Sequence, residues 1–348
     1  MLKIAIAGTI DTPINSSSSA GTEIWTYNFC QELVREGHKG VLFADASSKI
    51  NGEVVSVCKK SEILESDGKI SRSKLAIFST DQIIKIYQKQ NQFDLVHISI
   101  FSFPYVLPVL KLIKKPIFIT FHGSGMSEDD AKMFFLKYPD PHYIFASKMS
   151  YNQWPHPKKS TIIYHGINIQ NFPFSEKRED YYFWMGRISP EKGVEDAISF
   201  AKKSGQKLII AGPVRDQLYF ENSVKPHLSS KIKYVGVLGL REKVRYYQKA
   251  KAFIFSVKSP EPFGLVVAES LACGTPVIAS DLGAAKEIIV NGENGYLVKP
   301  NSVSEIIKAS TKVNKIRREA CRKSVEEKYN IQKMVDSYVK YYNEILNK

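Results

Sequence analysis

Two glutamates in the C-terminal half of the sequence have types and a spacing that could serve chemistry. Seven residues separate Glu261 from Glu269, and the apolar run from Leu265 to Cys273 predicts a short helix buried on nearly every face. Glu269 is therefore expected to be buried, where a carboxylate costs several kcal/mol unless a partner hydrogen-bonds it. Glu261 precedes the helix, where free amides and the helix dipole favour an anion such as phosphate. The pair indicates a phosphorylated, hydroxyl-rich ligand, although a buried salt bridge to an arginine and an ordinary surface acid would explain it equally well.

A second pair of candidate residues follows the predicted strand Tyr182–Met185. Arg187 and Lys192 lie across a turn from each other, and side chains that follow a strand of a parallel sheet gather at its carboxyl edge. Two cations at one point suit a diphosphate, whereas salt bridges to carboxylates are the structural alternative. The chain contains no D-x-D sequence, which usually bridges a divalent metal to a sugar nucleotide. We therefore expect the two cations to replace a metal, and we expect no other cofactor.

Both segments resemble motifs of one enzyme family. The run from Ser259 to Glu287 resembles the E-x7-E region of retaining glycosyltransferases of family 4, the glycosyl transferases group 1. Gly186–Gly193 is similar to their diphosphate-binding motif, G-R-x-x-x-x-K-G. The resemblance implies the GT-B fold, in which a nucleotide-sugar donor binds between two Rossmann-like domains. It also implies that Glu261 faces the donor sugar near its reacting carbon and that Glu269 holds the ribose hydroxyls.

Weaker matches fill in the expected site. His122 follows a predicted strand and matches the histidine that the family presents to the donor sugar, and Gly21 stands where the family commonly has two glycines. The segment His165-Gly-Ile-Asn168 resembles the family's N-G-V-D element with only the glycine unchanged, which argues against a ligand contact there. The resemblance implies four catalytic residues: Glu261, His122, Arg187 and Lys192. It implies substrate contacts by Gly21, Gly212, Gly236, Val237, Phe263, Gly264, Leu265, Val266 and Glu269.

The elements that must position these residues alternate between strands and helices, twice along the chain. In the first half, strands are predicted at Leu2–Ala7, Gly40–Ala44, Leu95–Ser99, Pro116–Thr120 and Tyr143–Ala146. In the second half, strands are predicted at Tyr182–Met185, Lys207–Ala211, Ile232–Val235, Ala252–Phe255, Pro276–Ala279 and Gly295–Val298. Residues 46–75 are typical of a loop or weak hairpin, and residues 168–181 are typical of an interdomain linker.

The predicted fold class is α/β, with two Rossmann-like doubly wound parallel-sheet domains of the GT-B type and the active site in the cleft between them. Residues 1–170 are expected to form the acceptor-side domain and residues 171–328 the nucleotide-sugar-binding domain. A final helix within 329–348 is expected to pack back on the first domain, as in GT-B enzymes. Neither half has G-x-G-x-x-G after its first strand, which argues against an NAD-dependent dehydrogenase.

Charge and cysteine content narrow the range of partners. The 49 Lys and Arg residues exceed the 35 Asp and Glu residues, and the net charge of +14 favours an anionic ligand or surface. The basic residues are scattered and form no nucleic-acid-binding motif, so no nucleic acid partner is expected. Four unpatterned cysteines favour a reducing compartment, hence the cytoplasm. Prolines and lysines interrupt the most hydrophobic window, Ile98–Phe121, so no bilayer span is predicted, while a peripheral contact with an anionic membrane at its inner face stays open.

The sequence thus predicts a retaining, metal-independent glycosyltransferase. Its donor would be a nucleoside diphosphate sugar, with a UDP sugar favoured, and its acceptor a hydroxyl of a glycan or lipid-linked precursor in cell-surface polysaccharide or glycoconjugate synthesis. One alternative is a noncatalytic nucleotide-sugar-binding subunit of a transferase complex. A GT-B nucleotide-sugar epimerase has less support, because such epimerases do not usually carry the E-x7-E region.

Overall fold

The structure is a computed structural model that describes residues 1–18, 20–100, 103–123, 128–153, 155 and 157–347. Its chain divides into two compact units. Unit 1 comprises Met1–Gly166 together with Ile331–Lys348, and unit 2 comprises Ile167–Asn330. In the described part of the chain, no helix is long and apolar enough to cross a membrane.

Unit 1 is built on a seven-stranded sheet in the order β3-β2-β1-β4-β5-β6-β7, with every pairing parallel. Its strands are β1 Lys3–Ala7, β2 Lys39–Ala44, β3 Glu53–Ser56, β4 Leu95–Ile98, β5 Ile117–Phe121, β6 His142–Phe145 and β7 Ser160–Ile162. The central strands read as continuous apolar runs because helices cover both faces of the sheet. The helices of unit 1 are α1 Gly21–Arg35, α2 Arg72–Lys89, α3 Leu107–Leu110, α4 Glu128–Lys137, α5 Lys148–Gln153 and, last in chain order, α13 Ile331–Leu346.

The C-terminal helix α13 contributes to the core of unit 1. Its buried side chains recur every three or four residues and face α1 and the sheet: Ile331, Met334, Val335, Tyr338 and Tyr342. The indole nitrogen of Trp25 in α1 donates to the sulfur of Met334 at 3.1 Å. The last helix of the chain therefore completes one face of the first sheet.

Unit 2 contains a six-stranded parallel sheet in the order β10-β9-β8-β11-β12-β13. Its strands are β8 Tyr182–Met185, β9 Leu208–Ala211, β10 Ile232–Tyr234, β11 Ala252–Phe255, β12 Val277–Ser280 and β13 Gly295–Val298. Its helices are α6 Val194–Ser204, α7 Gln217–Tyr219, α8 Leu240–Lys249, α9 Leu265–Ala272, α10 Ala285–Ile288, α11 Val303–Ser310 and α12 Arg318–Lys328. Two doubly wound parallel sheets confirm the predicted fold class.

The segment predicted as an interdomain linker, residues 168–181, is held along unit 2. Arg318 of α12 donates to the carbonyls of Ser175 at 2.7 Å, Gln248 at 2.7 Å and Ala250 at 3.1 Å. A guanidinium that bonds three carbonyls fixes the path of this segment against the unit. Its Pro173 and charged residues therefore mark a surface-bound stretch of unit 2.

The prediction for residues 46–75 is wrong in part. Glu53–Ser56 is strand β3, which pairs with β2 at the edge of the sheet, although Leu64 and Ile70 do form one antiparallel bridge. The strand is short and only half-buried, so its sequence carries little alternation for a reader to detect. The three-residue strand β7 escaped prediction for the same reason.

Candidate functional site

The loop from Gly186 to Gly193 follows β8 at the carboxyl edge of the sheet of unit 2 and is fixed at its end by a glycine. Gly193 has φ of +68°, and a Cβ atom there would lie 1.8 Å from the carbonyl oxygen of Ser256, just after β11. The Ser256 hydroxyl donates in turn to the carbonyl of Gly193 at 2.7 Å. Only glycine permits this close approach, so the loop that carries Arg187 and Lys192 is anchored to the neighbouring strand end.

Lys192 and Glu261 form a salt bridge that joins the two motifs found in the sequence. The ammonium of Lys192 donates to Oε1 of Glu261, and the two side chains are 16% and 22% exposed. The backbone of Glu261 is held by the turn after β12, since Ala284 donates its amide to the Glu261 carbonyl at 3.0 Å. A Cβ atom on Gly283 would lie 2.4 Å from the amide nitrogen of Glu261, so glycine is required in this turn as well.

Arg187 keeps a more accessible charge than Lys192. Its side chain is 54% exposed, and its nearest carboxylate oxygen, Oε1 of Glu191, is 3.7 Å from Nη2. Glu191 also accepts a hydrogen bond from the Ser189 hydroxyl at 2.6 Å. A long, exposed ion pair contributes little to stability, so the guanidinium is free in energetic terms to turn to a phosphate.

The N-cap of helix α9 is Gly264, close in sequence to Glu261. Gly264 has φ of +85° and caps the helix, and Val267 donates its amide to the Gly264 carbonyl at 2.9 Å. Within the described chain, the amides of Gly264, Leu265 and Val266 have no backbone acceptor. These groups lie at the positive end of the helix dipole and can bind an anion. The preceding residue, Phe263, is buried edge-on against another ring, so it anchors the helix start.

Glu269 lies in the second turn of α9 and is 3% exposed. Its Oε1 accepts from the ammonium of Lys243 at 2.7 Å, and its Oε2 accepts from the hydroxyl of Tyr247 at 3.3 Å. The expected burial is confirmed, and the expected need for a partner is met by a lysine and a tyrosine of α8. Burial and the neighbouring carboxylate raise the pKa of Tyr247 well above its usual value, so this hydroxyl stays a donor. Ribose binding by Glu269 stays a prediction.

The glycines after β9 and β10 shape the same edge of the sheet. A Cβ atom on Gly212 would lie 1.9 Å from the carbonyl oxygen of Gly186, and φ at Gly212 is +132°. The amide of Gly212 donates to the carbonyl of Gly236 at 2.8 Å. Gly236 has φ of +79° with open space beside it, and Val237 is 56% exposed. Gly212 therefore serves close packing, whereas Gly236 and Val237 line an open surface that a ligand can reach.

In unit 1, His122 follows β5 and lies among buried polar and aromatic groups. Its Nε2 is 3.0 Å from the hydroxyl of Ser99, and its Nδ1 is 3.3 Å from Nε2 of His165. The Trp25 ring meets it edge-on at 4.8 Å between centroids. Desolvation lowers the pKa of His122 to about 3 from an ordinary 6.5, so the imidazole is neutral near pH 7. A neutral ring adds no charge, and because both of its nitrogens have partners it can hydrogen-bond a sugar hydroxyl only by exchanging one of them.

A second polar network lies in the core of unit 1, on the strands next to His122. His97 hydrogen-bonds Tyr342 through Nδ1, and its Nε2 is 2.9 Å from the hydroxyl of Thr120. The Thr120 hydroxyl is 2.9 Å from that of Tyr338. Desolvation, with a smaller effect of His122, lowers the pKa of His97 to about 3. Residues of α13 therefore help to hold the strand end that presents His122.

Gly21 is the first residue of α1 and is exposed, and it follows Ala20 in extended conformation. The helix thus starts at the carboxyl edge of the first sheet, as the β-α alternation requires. The serine run before it extends over Ser19, which lies outside the described residues. Ligand binding by Gly21 stays a prediction.

The structure groups the predicted residues by unit. In unit 2, it brings Lys192 against Glu261 and places Arg187 in the same anchored loop, while Glu269 has its own buried partners. Sequence reasoning missed the residues that hold these groups: Gly193, Ser256, Lys243, Tyr247 and, in unit 1, Ser99 and Trp25. Gly193 is the last residue of the G-R-x-x-x-x-K-G motif, which could have identified it. The other residues lie far in sequence from the groups that they hold. In the ranges that the structure covers, no three His, Cys, Asp or Glu side chains are placed to hold a metal ion.

Two family models match consecutive parts of the chain. The model described as glycosyltransferase family 4 matches residues 19–171, and the model described as glycosyl transferases group 1 matches residues 167–330. Together they span both units and contain every residue predicted for the site.

Relatives and solved structures agree with these matches. An uncharacterized glycosyltransferase of Methanocaldococcus jannaschii is 28% identical over 270 residues, which are 72% of this chain and 76% of that protein. A sucrose-phosphate synthase from Thermosynechococcus elongatus has a TM-score of 0.83 at 18% identity and covers 100% of both chains. The Anabaena protein HepE in complex with UDP-glucose has a TM-score of 0.79 at 15% identity and covers 99% of this chain and 100% of its own. At such identities, the two structural matches establish the fold alone.

Proposed function

The chain belongs to glycosyltransferase family 4, the glycosyl transferases group 1, and from this membership we propose that it is a retaining enzyme acting on a nucleoside diphosphate sugar. The sugar would pass to a hydroxyl of a glycan or lipid-linked acceptor. The observation that carries the proposal is the anchored loop of unit 2, which carries an accessible Arg187 and holds Lys192 in a salt bridge with Glu261. Two cations and a carboxylate in this arrangement suit a diphosphate joined to a sugar.

The donor is proposed to be a UDP sugar. Support comes from the solved HepE complex, whose bound molecule is UDP-glucose. In this chain, the open space at Gly236 and the exposed Val237 offer backbone groups to a base, while Glu269 is proposed to take the ribose hydroxyls. Lys243 and Tyr247 hold the Glu269 carboxylate in one orientation, which makes it a fixed acceptor.

Departure of the nucleoside diphosphate is the step that this chain is best equipped to assist. Charge grows on the leaving oxygen, and fixed donors aimed at it lower the barrier. An ammonium has three donors, and the salt bridge of Lys192 to Glu261 uses one of them, which leaves two for phosphate oxygens. Arg187 and the amides of Gly264 to Val266 would add further donors.

Retention of the anomeric configuration is proposed to follow a same-face route. No residue of the predicted site is an obvious covalent nucleophile, so the acceptor hydroxyl would attack on the face that the diphosphate leaves. The leaving phosphate would take the acceptor proton. Glu261 would orient the sugar and support positive charge at its reacting carbon, and the neutral His122 would bind a sugar hydroxyl in exchange for its contact with Ser99 or His165. The reaction is proposed to need neither metal nor other cofactor, and to take place in the cytoplasm during cell-surface polysaccharide or glycoconjugate synthesis.

A noncatalytic nucleotide-sugar-binding subunit remains the second candidate, because Arg187, Lys192 and Glu269 could serve binding alone. The epimerase alternative has no observation in its favour. Presence of Glu261 beside Lys192 favours an enzyme, since diphosphate binding does not need that carboxylate.

A ligand screen followed by donor hydrolysis tests the proposal. Thermal unfolding would be measured against a panel of UDP, GDP and ADP sugars, since a ligand at 100 times its dissociation constant stabilises by about 2.7 kcal/mol. The stabilising donor would then be incubated with the protein and hydrolysis followed. We expect slow hydrolysis that is absent in Glu261→Ala and normal in Glu293→Ala, which alters an exposed glutamate. Donor binding without hydrolysis by the parent chain would support the noncatalytic subunit. If no nucleotide sugar stabilised the protein, both the enzyme and the binding subunit would be ruled out.

A further inference from the structure

A groove on unit 1 combines an apolar floor with a rim of lysines. It has a volume of about 490 Å³ and lies between the segment that joins α3 to β5 and the start of β6. Its floor includes Leu107, Leu110, Ile113, Tyr138 and Ile345, and its rim carries Lys111, Lys114, Lys115 and Lys159. None of these residues belongs to the predicted glycosyl-transfer site.

Large apolar side chains stand exposed beside this groove. Leu112, between two of the rim lysines, is 43% exposed. On α4, Met133 is 51% and Leu136 is 82% exposed, and the two are three positions apart on one helix face. The Tyr138 ring joins the helix to the groove, because the ammonium groups of Lys111 and Lys137 lie 5.6 and 6.0 Å from its centroid. We call the groove, its rim and this face of α4 the lysine-apolar surface.

The charge of the lysine-apolar surface is one-sided. The segments 105–117, 132–142 and 157–160 contain seven lysines and one acidic residue, Asp140. Among residues whose positions are described, no carboxylate forms a salt bridge with the four rim lysines or with Lys137. The acidic residues of α4 lie at its opposite end, at positions 128, 129 and 130. A cluster of like charges without counter-ions is unfavourable on its own and becomes favourable against an anionic partner.

We propose that the lysine-apolar surface docks unit 1 on a membrane that contains anionic phospholipids. Lysines would lie at the headgroup phosphates, and Leu112, Met133 and Leu136 would enter the boundary between headgroups and acyl chains. The lysines and the exposed apolar side chains of the surface then both contact the membrane. A nucleic acid would satisfy the lysines but would gain nothing from exposed aliphatic side chains. Among the described residues that line the groove, there is no arginine to read a base or a phosphate pair.

Docking is independent of glycosyl transfer, and only its benefit rests on the proposed function. A unit held at a membrane would meet lipid-linked acceptors at a high local concentration, because enzyme and acceptor are then confined to the same surface. Failure of the membrane inference would leave donor binding and donor hydrolysis unchanged. Failure of the proposed function would leave vesicle binding unchanged.

Vesicle binding tests the inference with a matched pair of variants. Each lysine near an anionic surface contributes about 1 kcal/mol, and 1.4 kcal/mol is tenfold in affinity. Lys111→Ser, Lys114→Ser and Lys115→Ser together should therefore lower partitioning to phosphatidylserine-containing vesicles about a hundredfold. The control carries Lys202→Ser, Lys203→Ser and Lys207→Ser, which remove the same charge from exposed positions of unit 2. The control should lose less than threefold, and donor hydrolysis should be equal in both.

A tryptophan placed at the apolar part gives a second readout. Leu136→Trp should show a blue-shifted emission on adding anionic vesicles, and no shift with vesicles of phosphatidylcholine alone. Equal losses in the two triple variants, or no binding of the parent chain to anionic vesicles, would overturn the proposal. So would binding to single-stranded RNA in place of vesicles, with the same dependence on the three lysines.

Discussion

The two units present unlike chemistry at the carboxyl edges of similar sheets. After β5, unit 1 places His122 in a neutral, partly aromatic network that includes Ser99 and His165. After β8 and β11, unit 2 places Arg187, Lys192 and their acidic partners. Burial keeps the first set uncharged, since it lowers the pKa of His122 to about 3. One fold thus yields an uncharged hydrogen-bonding edge in one unit and a charged edge in the other.

The difference teaches which part of a substrate each edge can serve. Neutral groups held in place by hydrogen bonds suit sugar hydroxyls, whose recognition depends on geometry. Ionised groups held by tight turns suit a diphosphate, whose recognition depends on charge. Supporting residues differ accordingly: the Trp25 ring of α1 packs against His122, whereas the glycines Gly193 and Gly283 shape the turns that hold Lys192 and Glu261.

The largest effect is expected from breaking the buried ion pair of unit 2. Lys243→Met leaves the carboxylate of Glu269 buried without its cation and should destabilise unit 2 by about 3–5 kcal/mol. The measurement is denaturant unfolding of the full chain. Lys249→Met is the control, because its salt bridge to Glu179 is exposed on both sides and should cost less than about 1 kcal/mol. Similar losses in the two variants would mean that the buried pair has no special weight.

A smaller effect is expected from the glycine that anchors the Gly186–Gly193 loop. Gly193→Ala adds a Cβ atom that would lie 1.8 Å from the Ser256 carbonyl at a φ of +68°, and should cost about 2–4 kcal/mol. Gly236→Ala has a similar φ but no atom within 4 Å of the added Cβ, so only about 1 kcal/mol is expected. Thermal unfolding of both variants separates backbone strain from collision. If Gly236→Ala proved the more damaging, the close approach at Gly193 would not matter.

The third prediction uses the pH dependence of stability to test whether the histidines of unit 1 are neutral in the fold. Histidines 97 and 122 have pKa values of about 3 in the fold against 6.5 when free, so the unfolded chain binds more protons below pH 6.5. Stability is therefore complete above pH 6.5 and falls as pH drops toward 3, by at most about 1.4 kcal/mol per pH unit for each histidine.

Denaturant unfolding at pH 7 and pH 5 measures this slope. His122→Gln keeps a hydrogen-bonding side chain but cannot titrate, so its stability should change less between the two pH values than that of the parent chain. An unchanged slope in His122→Gln would show that this ring is not held neutral by the fold.

Residues at motif positions could be predicted from the sequence because their neighbours in the chain carry the signal. Apolar runs of four to six residues gave eleven of the thirteen strands at nearly correct bounds, and the burial of Glu269 followed from the apolar helix around it. Strands β3 and β7 were missed because four- and three-residue edge strands have too little pattern.

Partners across the fold could not be predicted, since nothing in the local sequence reports them. Lys192 and Glu261 are 69 positions apart, and the sequence predicts each of them as an independent ligand contact. The salt bridge between them is visible only in the structure. From the sequence alone, an arginine is a candidate salt-bridge partner of Glu269, whereas the structure pairs Glu269 with Lys243 of α8. A lysine on an otherwise basic, polar helix gives no sign that its head is buried.

The account depends most on Arg187, whose accessible charge is proposed to stabilise the leaving diphosphate. The direct measurement is single-turnover transfer or hydrolysis of the stabilising nucleotide sugar by Arg187→Ala, with circular dichroism and thermal unfolding to establish that it folds. Arg317→Ala, which alters an arginine that is 82% exposed, is the control. We predict a loss of about a hundredfold to a thousandfold for Arg187→Ala and none for the control. Near-normal turnover in a folded Arg187→Ala variant would contradict the account.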